Sequence, residues 1–100
     1  EMGRGPCTDL TRQNSHGRPH NPFANTIMLA GAGIKKGFSF GETDELSNLT
    51  VKNEVQYGDL WATVFHLMGI NSNKMKFSDQ NNKEMKMTSS NSRILHEILA

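Results

Sequence analysis

The length of 100 residues and a hydrophobic content of 35% suit one small domain or part of a larger one. Eleven Lys and Arg residues against ten Asp and Glu residues give a formal net charge of +1, which offers no global case for nucleic-acid binding. Because Cys7 is the only cysteine, an internal disulfide and a cysteine-rich zinc site are excluded, and the longest apolar run is far too short for a membrane span.

The first quarter of the chain has the composition of a loop. Residues 1–25 are rich in Gly, Pro, Asn and His and show no apolar periodicity. A loop longer than about 15 residues in a compact domain is usually functional or disordered. We therefore interpret this stretch as an active-site-type loop region.

Two short segments follow that favour β-structure. Thr26–Ala30 is an almost continuous apolar run closed by glycines, which predicts a buried strand. In residues 34–41, Phe38 and Phe40 alternate around a serine between two glycines, which predicts a hairpin-like edge segment. The glycines between these segments depart from the dinucleotide-binding fingerprint, because the third glycine comes one residue late and Phe-Ser-Phe follows it.

The clearest element is an amphipathic helix over about 59–68. Asp59 suits its N-cap and Gly69 suits a left-handed C-cap. Thr63 and His66 fall on the polar face near Asp59, so His66 is predicted to be a surface residue. The predicted core-facing stripe consists of Leu60, Trp61, Val64, Phe65, Leu67 and Met68.

The remaining elements complete an α/β pattern. Short strands are predicted within residues 49–55 and 84–88, and a docking helix is predicted over about 92–99, where four apolar residues recur at helical spacing. In that last helix, His96 and Glu97 are expected to face water. The alternation of strands and helices indicates an α/β fold.

Three residues of the first 25 have side chains suited to an oxyanion or metal site. Glu1 offers a hard carboxylate ligand for a divalent cation, and Arg4 offers a bidentate fork for a phosphate or sulfate. His20 lies in a loop just before the predicted buried strand, where functional residues are common in open α/β sheets. His16 and His20 have helical spacing, but the intervening glycine and proline argue against a helix that presents both. Taken singly, each of these residues also fits an ordinary surface position.

In their order along the chain, these segments resemble the C-terminal part of an uncharacterised bacterial sulfatase-like family, a domain-of-unknown-function group in the alkaline phosphatase-like superfamily. "EMGRGP" resembles the family's Glu-Phe-Gly-Arg-Thr-Pro motif, and "GRPHNPF" resembles its Gly-Arg-Asp-His-Asn-Pro segment. "NTIMLAGAGIKKGFSFGETDE" is similar to its strand, glycine turn and Gly-x-Thr-Asp-Glu stretch. "VQYGDLWATVFHLMGI" resembles its Asp-Leu-x-x-Thr-Leu helix, and "NKEMKMT" is more weakly similar to the segment before its last helix. The resemblance spans essentially the whole chain.

The resemblance implies a fold and a chemistry. The fold would be the C-terminal portion of an alkaline phosphatase-like domain, and the intact protein would be a metal-dependent hydrolase of sulfate or phosphate esters. Glu1 and His20 would be metal ligands, whereas Arg4 and His20 would contact the reacting anion. Pro19 replaces the family's aspartate before His20, which removes a carboxylate that could orient the imidazole. Relatives are often exported, so a periplasmic or secreted location is implied as well.

The first motif also bears on the extent of the chain. No Met precedes Glu1, and the resemblance begins at once, so we expect a partial domain that starts inside a motif. The superfamily's nucleophile and N-terminal carboxylates are not matched by these residues, so we expect the chain to be inactive alone. The alternative is a non-catalytic binding or surface protein that retains the fold; a freestanding small interaction domain is a third interpretation.

Overall fold

The computed structural model describes residues 2–7, 17–31, 33–89 and 91–100, so Glu1 and His16 lie outside the described residues. Within these ranges there is one α-helix, together with one 3-10 turn and three antiparallel two-stranded pairs, β1–β2, β3–β4 and β5–β6. The elements in chain order are β1 Gly3–Arg4, β2 His20–Asn21, β3 Glu42–Thr43, β4 Thr50–Lys52, α1 Tyr57–Leu67, β5 Lys76–Ser78, β6 Glu84–Lys86 and the 3-10 turn His96–Ile98.

The chain divides into two compact units. The first comprises the described residues of Glu1–Ala30 and Ser39–Glu54, and the second comprises those of Gly31–Phe38 and Val55–Ala100. The strand pairs β1–β2 and β3–β4 belong to the first unit, while α1, β5–β6 and the 3-10 turn belong to the second. The predicted strands at 49–55 and 84–88 are confirmed as β4 and β6. The alkaline phosphatase-like fold itself stays a prediction.

The predicted central helix is confirmed, but its N-cap residue differs from the prediction. It begins at Tyr57 with Gln56 as the N-cap, so the prediction that Asp59 is the N-cap is wrong. Asp59 lies in the first turn, where its carboxylate accepts the Gln56 backbone N–H at 3.2 Å. Its negative charge also interacts favourably with the positive end of the helix dipole. At the other end Gly69 has the predicted left-handed conformation, with φ of +77°. The Ile70 N–H donates to the Phe65 carbonyl at 2.8 Å, which closes a Schellman motif.

The burial of α1 agrees only in part with the amphipathic prediction. His66 is exposed as predicted, and three residues of the predicted stripe are half-buried: Leu60, Val64 and Phe65. The buried residues of α1 are Asp59, Ala62 and Thr63, and Thr63 has no exposed surface. Trp61 of the predicted core stripe is 54% exposed, and Met68 is also exposed. Asp59 and Thr63 are buried because they hydrogen-bond to the C-terminal segment, which packs Leu95 and Ile98 into the same core.

The C-terminal segment is not the helix predicted over 92–99; it has a single 3-10 turn at His96–Ile98. The reason is that side chains of α1 bind its backbone. Asp59 accepts the Arg93 N–H at 2.8 Å, and Thr63 Oγ1 accepts the Leu95 N–H at 2.9 Å. Between these contacts and the turn, Leu95 has φ of −82° and ψ of 75°, which is not a helical conformation. His96 and Glu97 are exposed, as predicted.

The two segments between the first loop and β3 also differ from their predictions. Thr26–Ala30 is irregular rather than a buried strand, and Met28 is 90% exposed. None of the three described strand pairs includes these residues, and an apolar run without a pairing strand does not make a stable strand. The hairpin predicted over 34–41 is absent from those residues, because Ile34 instead forms an antiparallel bridge with Leu99 at the end of the chain.

No helix in the described ranges combines the length and the apolar character needed to cross a bilayer. In the second unit, hydrogen bonds from the backbone of Arg93 and Leu95 to side chains of α1 hold the C-terminal segment against the helix.

Candidate functional site

The structure brings two of the predicted site residues together. Strands β1 and β2 pair antiparallel, with Arg4 directly opposite His20. Residues directly opposite each other in an antiparallel pair project to the same face, with Cβ atoms about 4.5–5.5 Å apart. Both residues are exposed to solvent. Glu1, the third predicted site residue, lies outside the described residues.

The backbone around this pair is fixed by short contacts. The Gly5 N–H donates to the Pro19 carbonyl at 2.8 Å, which extends the β1–β2 pairing by one bond. Gly3 is required by close packing, because a Cβ at this position would overlap the Ala24 carbonyl oxygen. The glycine before Arg4 therefore lets β1 approach the chain that follows β2.

The Arg4 side chain is oriented by the neighbouring strand segment. Its Nη1 donates to the Arg18 carbonyl oxygen at 3.3 Å. A guanidinium has five N–H donors in a planar fork, so one such bond leaves the group able to bind an anion. Arg18 is itself exposed beside Pro19. Two arginines and one histidine thus lie within a single short strand pair and its flanking residues.

Asn21 anchors the loop that carries His20, a role that the sequence interpretation missed. Its side chain is buried, with only 3% of the residue exposed. Its amide donates to the carbonyls of Asn48 at 2.9 Å and Ser47 at 3.4 Å, and its Oδ1 accepts the Phe23 N–H at 3.0 Å. Since a buried amide with several partners is held in one orientation, Asn21 fixes the backbone that presents His20.

The loop that contains Ser47 and Asn48, whose carbonyls accept the Asn21 amide, is itself held by local hydrogen bonds. The Asp44 carboxylate accepts the backbone N–H groups of Asn48 at 2.6 Å and Leu49 at 3.2 Å. The Thr50 hydroxyl donates to the Phe23 carbonyl at 3.0 Å, on the chain just after β2. The sequence signal for this arrangement was the Asn-Pro pair after His20, which is typical of a turn with side-chain hydrogen bonds.

The described residues do not form a complete metal site. In the described ranges there is no group of three or more His, Cys, Asp or Glu side chains placed to hold a metal ion. His20 is one imidazole ligand candidate, and the metal-ligand prediction for Glu1 falls outside the described residues. Cys7 is an exposed free thiol close to β1 in sequence.

A family model matches residues 1–99, which is nearly the whole chain. The model's description is "Protein of unknown function (DUF1501)". Neither the comparison with curated proteins nor the one with solved structures returned a match. On the extent of the family match, the chain belongs to the family described as Protein of unknown function (DUF1501).

Proposed function

We propose that this chain supplies an oxyanion-binding part of a sulfatase-like, metal-dependent hydrolase of sulfate or phosphate esters. The observation that supports the proposal is the cross-strand pairing of Arg4 with His20. The two residues are 16 positions apart in the sequence, and each lies in a segment that resembles a family motif.

The pair has the chemistry that a tetrahedral anion requires. An arginine can donate two parallel N–H bonds to two oxygens of a sulfate or phosphoryl group. An imidazole on the same face can donate a third bond from its own N–H, and its positive form adds charge. In an ester hydrolysis, contacts of this kind lower the barrier when they are aimed at charge that develops in the transition state.

The metal part of the proposal rests on the resemblance alone. Of the two predicted ligands, only His20 lies in the described residues, and no group of three or more ligand side chains surrounds it there. We therefore assign the anion contact to Arg4 and His20. A divalent ion held by Glu1 and His20 stays a prediction.

Sulfate or phosphate is expected to bind the chain at β1–β2. In a titration followed by backbone and side-chain NMR, the largest shift changes should fall on Arg4, Gly5 and His20. Replacing Arg4 by glutamine should raise the Kd for sulfate by about tenfold or more, because a hydrogen bond to a charged group contributes about 1.5–3 kcal/mol and 1.4 kcal/mol is about tenfold. His20→Gln should raise it by a smaller factor.

The matched control is Arg4→Lys, which keeps the charge but loses the planar fork. It should bind sulfate more weakly than the native chain and more tightly than Arg4→Gln. Lys52→Gln removes a positive charge from β4 of the same unit, where Lys52 pairs with Glu42 at 2.7 Å, and should leave the Kd unchanged. Equal effects of Arg4→Gln and Lys52→Gln on the Kd would mean that only net charge matters, which would contradict a specific site at Arg4 and His20.

Hydrolysis distinguishes the enzyme from the alternative binding protein. The hydrolase to which we assign this chain should cleave aryl sulfates or aryl phosphates in a reaction that a chelator abolishes. Its bound metal should fall on Glu1→Ala or His20→Ala. If sulfate binds at Arg4 and His20 but no ester is cleaved with any divalent metal added, the non-catalytic binding protein is the better description.

A further inference from the structure

A pair of histidines lies in the second unit, outside the candidate site. His66 is on the last turn of α1, and His96 is the first residue of the 3-10 turn. Their ring centroids are 5.7 Å apart, and the ring planes are inclined by 74°. Both side chains are exposed, so solvent ions can reach them. The two residues are 30 positions apart, and only the docking of the C-terminal segment brings them together.

We propose that His66 and His96 form a two-histidine site for a divalent transition metal ion. The ring separation is close to what a shared ion requires. Because Zn–N bonds are about 2.1 Å long, two imidazoles on one tetrahedral ion have centroids roughly 5–6 Å apart. The observed 5.7 Å lies within that spacing, and exposed imidazoles can rotate to direct one nitrogen each at the ion.

The backbone on both sides of the pair is fixed, which favours binding. Thr63 lies three residues before His66 on the same helix, and its Oγ1 holds the Leu95 N–H at 2.9 Å. Leu95 directly precedes His96 and is 2% exposed. The two ligands are therefore presented by anchored segments, so an ion would not have to order the chain before binding.

The chemistry of the pair selects the class of ion. Imidazole nitrogens suit Zn²⁺, Cu²⁺ and Ni²⁺, whereas Mg²⁺ and Ca²⁺ prefer oxygen ligands. With two protein ligands, water completes the coordination shell. Because both histidines are exposed, solvent can supply these waters. The ion would join α1 to the C-terminal segment and stabilise the second unit.

Thermal unfolding with Zn²⁺ tests the site without any activity assay. An excess of Zn²⁺ over Kd should raise the Tm of the native chain by about 5 °C or more, because a ligand that binds only the folded state stabilises it. His66→Gln and His96→Gln should each lose most of that shift. Mg²⁺ at the same concentration should leave the Tm unchanged.

Glu84→Gln is the control, because it removes an exposed carboxylate, also a metal-ligand type, from β6 of the second unit and should keep the full Zn²⁺ shift. Imidazole NMR signals provide a second measurement that does not depend on the variants: those of His66 and His96 should move together during the Zn²⁺ titration. An equal Tm shift in all three variants, or unperturbed His66 and His96 signals at millimolar Zn²⁺, would overturn the proposal.

Discussion

Replacing Asp59 by alanine is expected to lower the free energy of unfolding by about 3 kcal/mol, because two backbone N–H groups lose a charged acceptor at a buried position. The Asp59 carboxylate accepts the Arg93 N–H at 2.8 Å and the Gln56 N–H at 3.2 Å, and the residue is only 6% exposed. The Arg93 side chain lies 3.8 Å away and is about half exposed, so its ion pair adds little.

Urea denaturation of the native chain and two variants measures this effect. Asp59→Asn is the matched control, because it keeps the shape and one carbonyl oxygen that can still accept the Arg93 N–H. Its loss should be about half that of Asp59→Ala. A loss below about 0.5 kcal/mol for Asp59→Ala, the range of ordinary surface substitutions, would contradict the assigned role.

Thr63→Val is expected to cost about 2 kcal/mol, although valine has nearly the same shape as threonine. The hydroxyl donates to the Asp59 carbonyl at 2.7 Å and accepts the Leu95 N–H at 2.9 Å, and Thr63 has no exposed surface. A methyl group in its place leaves the buried Leu95 N–H without this acceptor, at a desolvation cost of about 1–3 kcal/mol. That cost outweighs the gain from burying one more methyl group, about 0.8 kcal/mol.

Thr63→Ser separates the hydroxyl from the methyl group. It keeps both hydrogen bonds and loses one buried methyl, so its cost should be smaller than that of Thr63→Val. Amide hydrogen exchange at Leu95 gives a local measurement, since its protection should fall in the valine variant and persist in the serine variant. A valine variant as stable as the native chain would show that this hydrogen bond does not hold the C-terminal segment.

The elements that the sequence predicts well are those with local causes. The helix near residue 60 has apolar spacing, an acidic first turn and a glycine at its end, and Tyr57–Leu67 is observed with Gly69 in the left-handed region. Strand β4 likewise falls within its predicted range of residues 49–55. Such signals lie within a few residues of the structure that they determine, so a sequence pattern is sufficient.

The predictions that differ from the structure concern features with non-local causes. The face of α1 that is buried depends on Arg93 and Leu95, which are more than 30 residues away from Asp59 and Thr63. An apolar stripe predicts burial only where a partner surface covers it, and here hydrogen bonds bring the C-terminal segment to the polar face instead. The same bonds hold the C-terminal segment, which has one 3-10 turn where a helix over 92–99 is predicted.

The candidate site shows the same division between chemistry and geometry. The side-chain types of Arg4 and His20 suggest anion binding from the sequence, but their opposition across β1–β2 is a matter of strand register. The sequence does not predict the anchoring role of Asn21, because asparagine before proline is common in turns. Its hydrogen bonds to Ser47 and Asn48 span more than 25 residues. Gly3 is explained only by the nearby Ala24 carbonyl.

The most direct test of the account is a double-mutant cycle on the sulfate Kd, with Arg4→Gln, His20→Gln and the variant that carries both. If the two residues bind one anion, their losses should depend on each other, with a coupling energy of about 0.5 kcal/mol or more. Losses that add to within about 0.3 kcal/mol, or a Kd unchanged in all three variants, would contradict a shared oxyanion site.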